Sequence, residues 1–164
     1  MTESCGLHIV LVEPEIPPNT GNIARLCLAA KARLHLIEPL GFSLDEKSLR
    51  RAGMDYWHQC DIHVWPSFGA WRENHTGIRC WYFSTKAKQN HWGAPFQKGD
   101  ALVFGRETKG LPESLLEKNE GWLLRIPMLG DARSLNLATS VGIGLYEAWR
   151  VSSENGTEDA EKGH

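Results

Sequence analysis

Short apolar runs rich in β-branched residues alternate along this chain with segments whose apolar residues recur every three or four positions, and nearly every run stops at proline or glycine. His8–Val12 (HIVLV) ends at Glu13-Pro14. Residues 34–38, Ile62–Trp65 before Pro66, residues 79–85, Ala101–Phe104, and residues 123–126 before Pro127 read as further strands. Between them, Ile23, Leu26, Cys27 and Ala30 fall on one helical stripe beyond the Pro- and Asn-rich stretch 14–21, and residues 46–52 form a short helix stopped by Gly53. A long amphipathic helix is expected over about residues 135–150, with Ala138, Val141, Leu145 and Ala148 or Trp149 inward. This alternation implies an α/β domain with a mostly parallel sheet and helices on both faces. In such folds, functional residues gather on loops beyond the carboxyl ends of the strands.

At 164 residues and 18.4 kDa the chain suits one domain, expected over residues 1–152, with residues 153–164 a polar, acidic, disordered tail. No apolar run approaches the ~20 residues of a membrane helix, and the amino terminus shows no secretory pattern, so a cytoplasmic location is expected. Cys5, Cys27, Cys60 and Cys80 form no C-x-x-C pair, and the seven histidines form no H-E-x-x-H, so no metal is expected. A net charge of -2 is poor for gripping nucleic acid through bulk charge. Four of the acids and one lysine fall at or after Glu154, however, and the remainder is slightly basic, so any such contact must come from a local patch.

Three loops could carry chemistry. The first places Asn19, Gly21, Asn22 and Arg25 where a strand hands over to a helix: either an anion site with Arg25 as a fork, or a helix capped by Asn19 or Thr20 beside a solvated arginine. The second, Phe104-Gly105-Arg106-Glu107-Thr108-Lys109-Gly110-Leu111-Pro112, is no P-loop, because Leu111-Pro112 stands where Lys and Ser or Thr are required. Glycine directly after a strand permits close approach of a ligand or of another backbone segment, though a plain turn with a charged tip fits as well. The third puts Ser134, a natural N-cap, and Asn136 at the entry of the long helix, within which Gly142 and Gly144 call for a close neighbour. A nucleophile elbow and a dinucleotide fingerprint are both absent. Five of the seven tryptophans lie between Trp57 and Trp92, better suited to core or interface packing than to stacking on bases.

Taken in order, Pro14-Glu15-Ile16-Pro17-Pro18-Asn19-Thr20-Gly21-Asn22-Ile23-Ala24-Arg25, the Phe104 to Pro112 loop, and Arg125-Ile126-Pro127-Met128 with Arg133-Ser134-Leu135-Asn136-Leu137 resemble the three motifs of the SPOUT methyltransferases. Within that superfamily they are most similar to the TrmH/SpoU class and its TrmL (YibK-like) subfamily. Leu34-His35-Leu36-Ile37-Glu38-Pro39 and Arg50-Arg51-Ala52-Gly53-Met54-Asp55-Tyr56 extend the similarity, which covers roughly residues 8–150. The resemblance implies a carboxyl-terminal deep trefoil knot holding S-adenosylmethionine, with S-adenosylhomocysteine as product, and a homodimer whose sites draw on both subunits. It implies methylation of the ribose 2'-oxygen of the wobble nucleotide 34, a cytidine or modified uridine, in leucine tRNAs. Cofactor contacts map onto Phe83, Gly105, Ile126 and Ser134, and the polar catalytic set onto Asn19, Arg25, Glu107, Ser134 and Asn136. Arg106 departs from an expected proline, Gly130 stands where proline is common, and Ala138-Thr139 replaces Ser-Asn. The first strand starts at residue 8, without the RNA-binding extension of many ribosomal-RNA relatives, which favours a tRNA substrate.

On that reading Arg25, always protonated and without an acceptor lone pair, anchors a phosphate and stabilises alkoxide charge, while the 2'-OH proton leaves to a phosphate oxygen or water. Ser134 and Asn136 orient ribose or cofactor, and Glu107 holds its loop through backbone amides. Arg33, Arg50, Arg51, Lys86, Lys88, Arg106, Lys109 and Arg133 are candidates for phosphate contacts. Two other functions stay open: ribose methylation at another tRNA position or in ribosomal RNA, and a non-catalytic RNA-binding protein of the same fold.

Overall fold

The computed structural model describes the backbone of residues 3–162 and the side chains of residues 3–155. Six strands, β1 (His8–Val12), β2 (Arg33–Ile37), β3 (Ile62–Trp65), β4 (Cys80–Phe83), β5 (Ala101–Phe104) and β6 (Leu123–Leu124), form one sheet in the order β3-β2-β1-β5-β4-β6. Every pairing is parallel, with Leu11 opposite Leu36 on one side and Phe104 on the other. The predicted α/β architecture is therefore present. The central strands are buried on both faces, which is why they read as unbroken apolar runs.

Side-chain alternation splits the interior into two layers. On one face Ile9, Leu11, Leu34, Leu36, Phe83, Leu102 and Phe104 pack against α1 (Pro17–Ala30), through Ile23, Ala24 and Cys27, and α5 (Leu137–Lys162), through Val141, Leu145 and Ala148. On the other, Val10, Val12, Tyr82, Ala101 and Val103 meet Trp71 of α3 (Phe68–Glu73) and Leu116 of α4 (Glu113–Lys118). The helix after β1 and the helix after β5 thus lie on opposite faces. The crevice beyond the carboxyl ends of these two neighbouring strands is a switch point of the winding, the usual place for a ligand in an open parallel sheet.

Several boundaries differ from the sequence reading. The Pro- and Asn-rich stretch is already helix: α1 starts at Pro17, with proline in the first turn, where a missing N–H costs nothing. Neither Asn19 nor Thr20 caps it; Ile16 occupies that position, and the Asn19 and Thr20 amides donate to its carbonyl. Ser134 does not cap α5 either, because Asn136 Oδ1 accepts from the Thr139 amide at 3.2 Å. That helix runs on to Lys162, well past the expected end near Arg150. Ser152 is buried, and Asn155 Nδ2 donates to the Phe96 carbonyl, while the side chains of the expected tail from residue 156 lie outside the described residues. Residues 46–51 form the short helix α2 (Glu46–Arg51), capped by Asp45. Trp71 and Trp81 are core residues, whereas Trp92 is 65% exposed. Among the described residues no helix is long and apolar enough to cross a membrane.

Candidate functional site

Beyond the carboxyl ends of β4, β5 and β6 three loops enclose a cavity of about 310 Å³, within the range of small-molecule sites. Phe83, Gly105, Ile126 and Ser134 all line it, and so do Leu111, Met128 and Leu135. Its floor is the stacked pair Phe83 and Phe104, centroids 4.6 Å apart, held from below by Gly144 of α5. A Cβ at Gly144 would come within 3.1 Å of Phe83 and 3.3 Å of Phe104, so the glycine expected to admit a close neighbour admits these rings. Gly142 is different: a Cβ there would meet only Leu26 at 3.8 Å, an ordinary contact.

Gly105 exists for the shape of its own loop. The Arg106 and Gly110 backbones pair with each other at 2.9 and 3.2 Å, folding the loop back. A Cβ on Gly105 would lie 2.1 Å from the Gly110 carbonyl carbon and 2.2 Å from the Leu111 nitrogen, so no side chain fits.

Three sets of contacts stitch this loop to the one after β1, across the switch point. Arg106 Nη2 pairs with Glu13 Oε1 at 2.8 Å. Glu15 Oε1 accepts from the Thr108 amide at 3.1 Å and its hydroxyl at 2.7 Å, which holds the Glu15 carboxyl below its ordinary range. In return Glu107 accepts from the Glu15 amide at 2.8 Å and the Ile16 amide at 3.3 Å. Glu13 itself sits at a φ of 55°, a left-handed conformation uncommon for a residue with a Cβ.

Asn19 is buried in the first turns of α1, and its Oδ1 accepts from Asn136 Nδ2 at 3.0 Å, joining residues 117 positions apart. Arg25 lies farther along α1, exposed, with no hydrogen bond or ion pair among the described residues. Thus Glu107 shares the cavity with the four cofactor candidates, Ser134 among them, Asn19 and Asn136 are bonded to each other, and Arg25 is outside the lining. Of the cations expected to meet phosphate, Arg33 is paired with Asp61, Lys86 with Glu113 and Arg106 with Glu13. Lys109 and Arg133 line the cavity without an ion pair among the described residues, as does Arg125, which the sequence reading passed over. Phe104, Glu13, Glu15 and Thr108 were given no role in the sequence reading: Phe104 closes a strand, Glu13 ends one, and Glu15 and Thr108 stand within motif stretches without a marked function.

Stacked rings and aliphatic walls can take a base, and unpaired cations at the rim can take an anion. No cysteine, histidine or catalytic serine dyad faces the cavity. Its amides, hydroxyls and cations are suited to holding and orienting reactants.

Residues 6–146 match the model of the SpoU rRNA methylase family. The tRNA (cytidine(34)-2'-O)-methyltransferase of Aeromonas hydrophila is 49% identical over 145 residues, 88% of this chain and 93% of the relative. That of Escherichia coli K12 is 48% identical over 145 residues, 88% of this chain and 92% of the relative. A structure solved to give insight into 2-OH methylation of C/U34 on tRNA superposes with a TM-score of 0.84 at 46% identity, covering 90% of this chain and 97% of the other. An rRNA methyltransferase of Sinorhizobium meliloti with bound AdoMet gives 0.76 at 26% identity, covering 92% and 61%.

Proposed function

The chain belongs to the SpoU rRNA methylase family and is a methyltransferase, and from that premise we propose that it methylates the ribose 2'-oxygen of the wobble nucleotide, cytidine or modified uridine 34, of leucine tRNAs in the cytoplasm. One observation carries the reading: loops far apart in sequence close on a single cavity, and the residues that line or flank it are the polar and glycine residues of the three motifs. Relatives at 48–49% identity over nearly their whole length support the tRNA substrate.

S-adenosylmethionine is the proposed cofactor; when bound it supplies a methyl group on a sulfonium, an electrophile that needs alignment more than activation. Phe83, Ile126 and the Gly105 loop would hold its base, with Ser134 beside them. Asn136 and Asn19 would fix the ribose side of the site, and Glu107 keeps the two loops in register. Arg25 would grip the phosphate next to the target nucleotide and place positive charge where the 2'-oxygen becomes alkoxide. A guanidinium stays protonated, so the proton passes to a phosphate oxygen or to water. Because Arg25 stands outside the cavity lining, we propose that it serves the partner's cofactor site in a homodimer. Threading of residues 125–136 and α5 through the Gly105 loop as a trefoil knot completes the proposal.

The test is transfer of labelled methyl from S-adenosylmethionine to total tRNA from a deletion strain, followed by mapping. Label on nucleotide 34 of leucine isoacceptors is expected. Label elsewhere in tRNA or in ribosomal RNA selects another substrate, and binding without transfer selects an RNA-binding role. Arg25→Lys keeps the charge and loses the fork, so turnover should fall by about ten- to a hundredfold; an unimpaired variant removes Arg25 from the site.

A further inference from the structure

Between β2 and β3 the chain returns to close on the first half of α1 through residues 54–60, a segment given no role above. Tyr56 Oη donates to the Gly21 carbonyl. Cys60 Sγ lies 3.5 Å from the Ala24 carbonyl oxygen. Met54, buried at 2% exposure, fills the space a side chain at Gly21 would need: a Cβ there would sit 3.0 Å from its Cγ and 3.2 Å from its Sδ. In an α-helix the Gly21 carbonyl is also the acceptor for the Arg25 amide, and Ala24 adjoins Arg25. The segment therefore grips the single turn from which Arg25 projects.

Nothing else holds that arginine among the described residues. Burial first, then the neighbouring Cys60, pushes the Tyr56 phenol up, against the opposite pull of the Arg25 guanidinium, so the hydroxyl keeps the proton it donates to Gly21. We propose that Tyr56 is a positioning residue for Arg25, fixing the turn of α1 that carries it. The proposal rests on the assignment of Arg25 to the reaction. It adds a residue from outside the three motif loops to the site.

The experiment is a double-mutant cycle on the full-length protein with tRNA and S-adenosylmethionine. Tyr56→Phe keeps the ring and removes the hydroxyl, so kcat should fall about tenfold while the KM for tRNA, the affinity for S-adenosylmethionine and the Tm stay near wild type. Combined with Arg25→Lys it should add nothing to the loss that Arg25→Lys causes alone, because both remove the same aim. A residue that merely stabilises the fold would shift Tm and multiply the losses. Gly21→Ala, which crowds Met54 and so loosens the hold of residues 54–60 on this turn, should lower kcat in the same direction and serves if Tyr56→Phe folds poorly. A slowed Arg25→Lys beside a Tyr56→Phe of wild-type kcat, or fully multiplicative losses, overturns this proposal alone. An Arg25→Lys of wild-type kcat overturns the Arg25 assignment and this proposal together.

Discussion

At the scale of single residues, one amide of the site does two jobs. Asn136 caps α5 with its oxygen and donates its nitrogen to Asn19, so one side chain ties the start of the last helix to the first turns of α1. Asn136→Asp separates the jobs. Aspartate caps as well as asparagine, so stability should change by no more than about 0.5 kcal/mol. It cannot donate to Asn19, and it faces that carbonyl oxygen with a charge, so methyl transfer should fall at least about tenfold. Equal losses of stability and turnover in denaturation and transfer assays would mean that the cap is all that matters. A second residue-scale feature lies on the opposite face of the sheet. The Trp65 indole donates to His35 Nδ1 at 3.1 Å, so His35 Nε2 carries the hydrogen that meets His8 Nδ1 at 3.0 Å, and both rings are neutral. Burial first, then nearby cationic groups, lowers His35 to about 3 and His8 to about 4. An unfolded chain takes up these protons near 6.5 and the fold refuses them. These groups leave stability unchanged above that pH and lower it as pH falls from about 6.5 towards 3. Denaturation midpoints measured from pH 7 down to 4.5 should show this slope, and His8→Gln, which keeps an acceptor for His35, should make it shallower. An unchanged slope in that variant assigns the acid sensitivity to other groups.

At the scale of elements, Gly144 shows how helix chemistry yields to the cavity. Alanine there would gain about 1 kcal/mol of helix propensity, and crowding Phe83 and Phe104 would cost about 1–3 kcal/mol, so Gly144→Ala should lose roughly 1 kcal/mol net. The displaced rings should also weaken S-adenosylmethionine binding in calorimetry; a higher Tm with unchanged affinity would show that the rings yield freely. The same element illustrates what the sequence could and could not disclose. The strands His8–Val12 and Ala101–Phe104 were legible to the residue because buried parallel strands are plain apolar runs, and the half-exposed edge strand Ile62–Trp65 because Pro66 stops it. The start of α1 was not, since Pro17-Pro18 and Gly21 look like loop until one sees that the prolines occupy the first turn and Met54 needs the glycine. Helix α3 was missed because its six residues bury one side, through Trp71, and give too short a window for a period to show. Within the site, motif glycines and amides stood out by residue type. Glu13, Glu15 and Thr108 did not, because their partners lie more than ninety residues away and only the sheet order brings them together.

At the scale of the molecule, Ile143 and Tyr146 remain 37% and 46% exposed on α5, beside the face that packs against α1. Apolar side chains in that position are what the proposed homodimer would cover. Ile143→Glu should convert a dimeric species into a monomer in sedimentation velocity and, with Arg25 serving the other subunit, abolish turnover. A monomeric wild type, or a variant still dimeric and active, moves the interface elsewhere. The winding of the sheet has a larger consequence. It places Glu13, Glu15 and Glu107 at the seam between its two oppositely wound halves, and the seam's own guanidinium, hydroxyl and amides quench all three. Parting the loops would bare three negative charges in the path of an approaching polyanion. The same contacts therefore tie the loop after β1 and the loop after β5 into one unit, neither of which can shift without stripping the other's carboxylates of their partners.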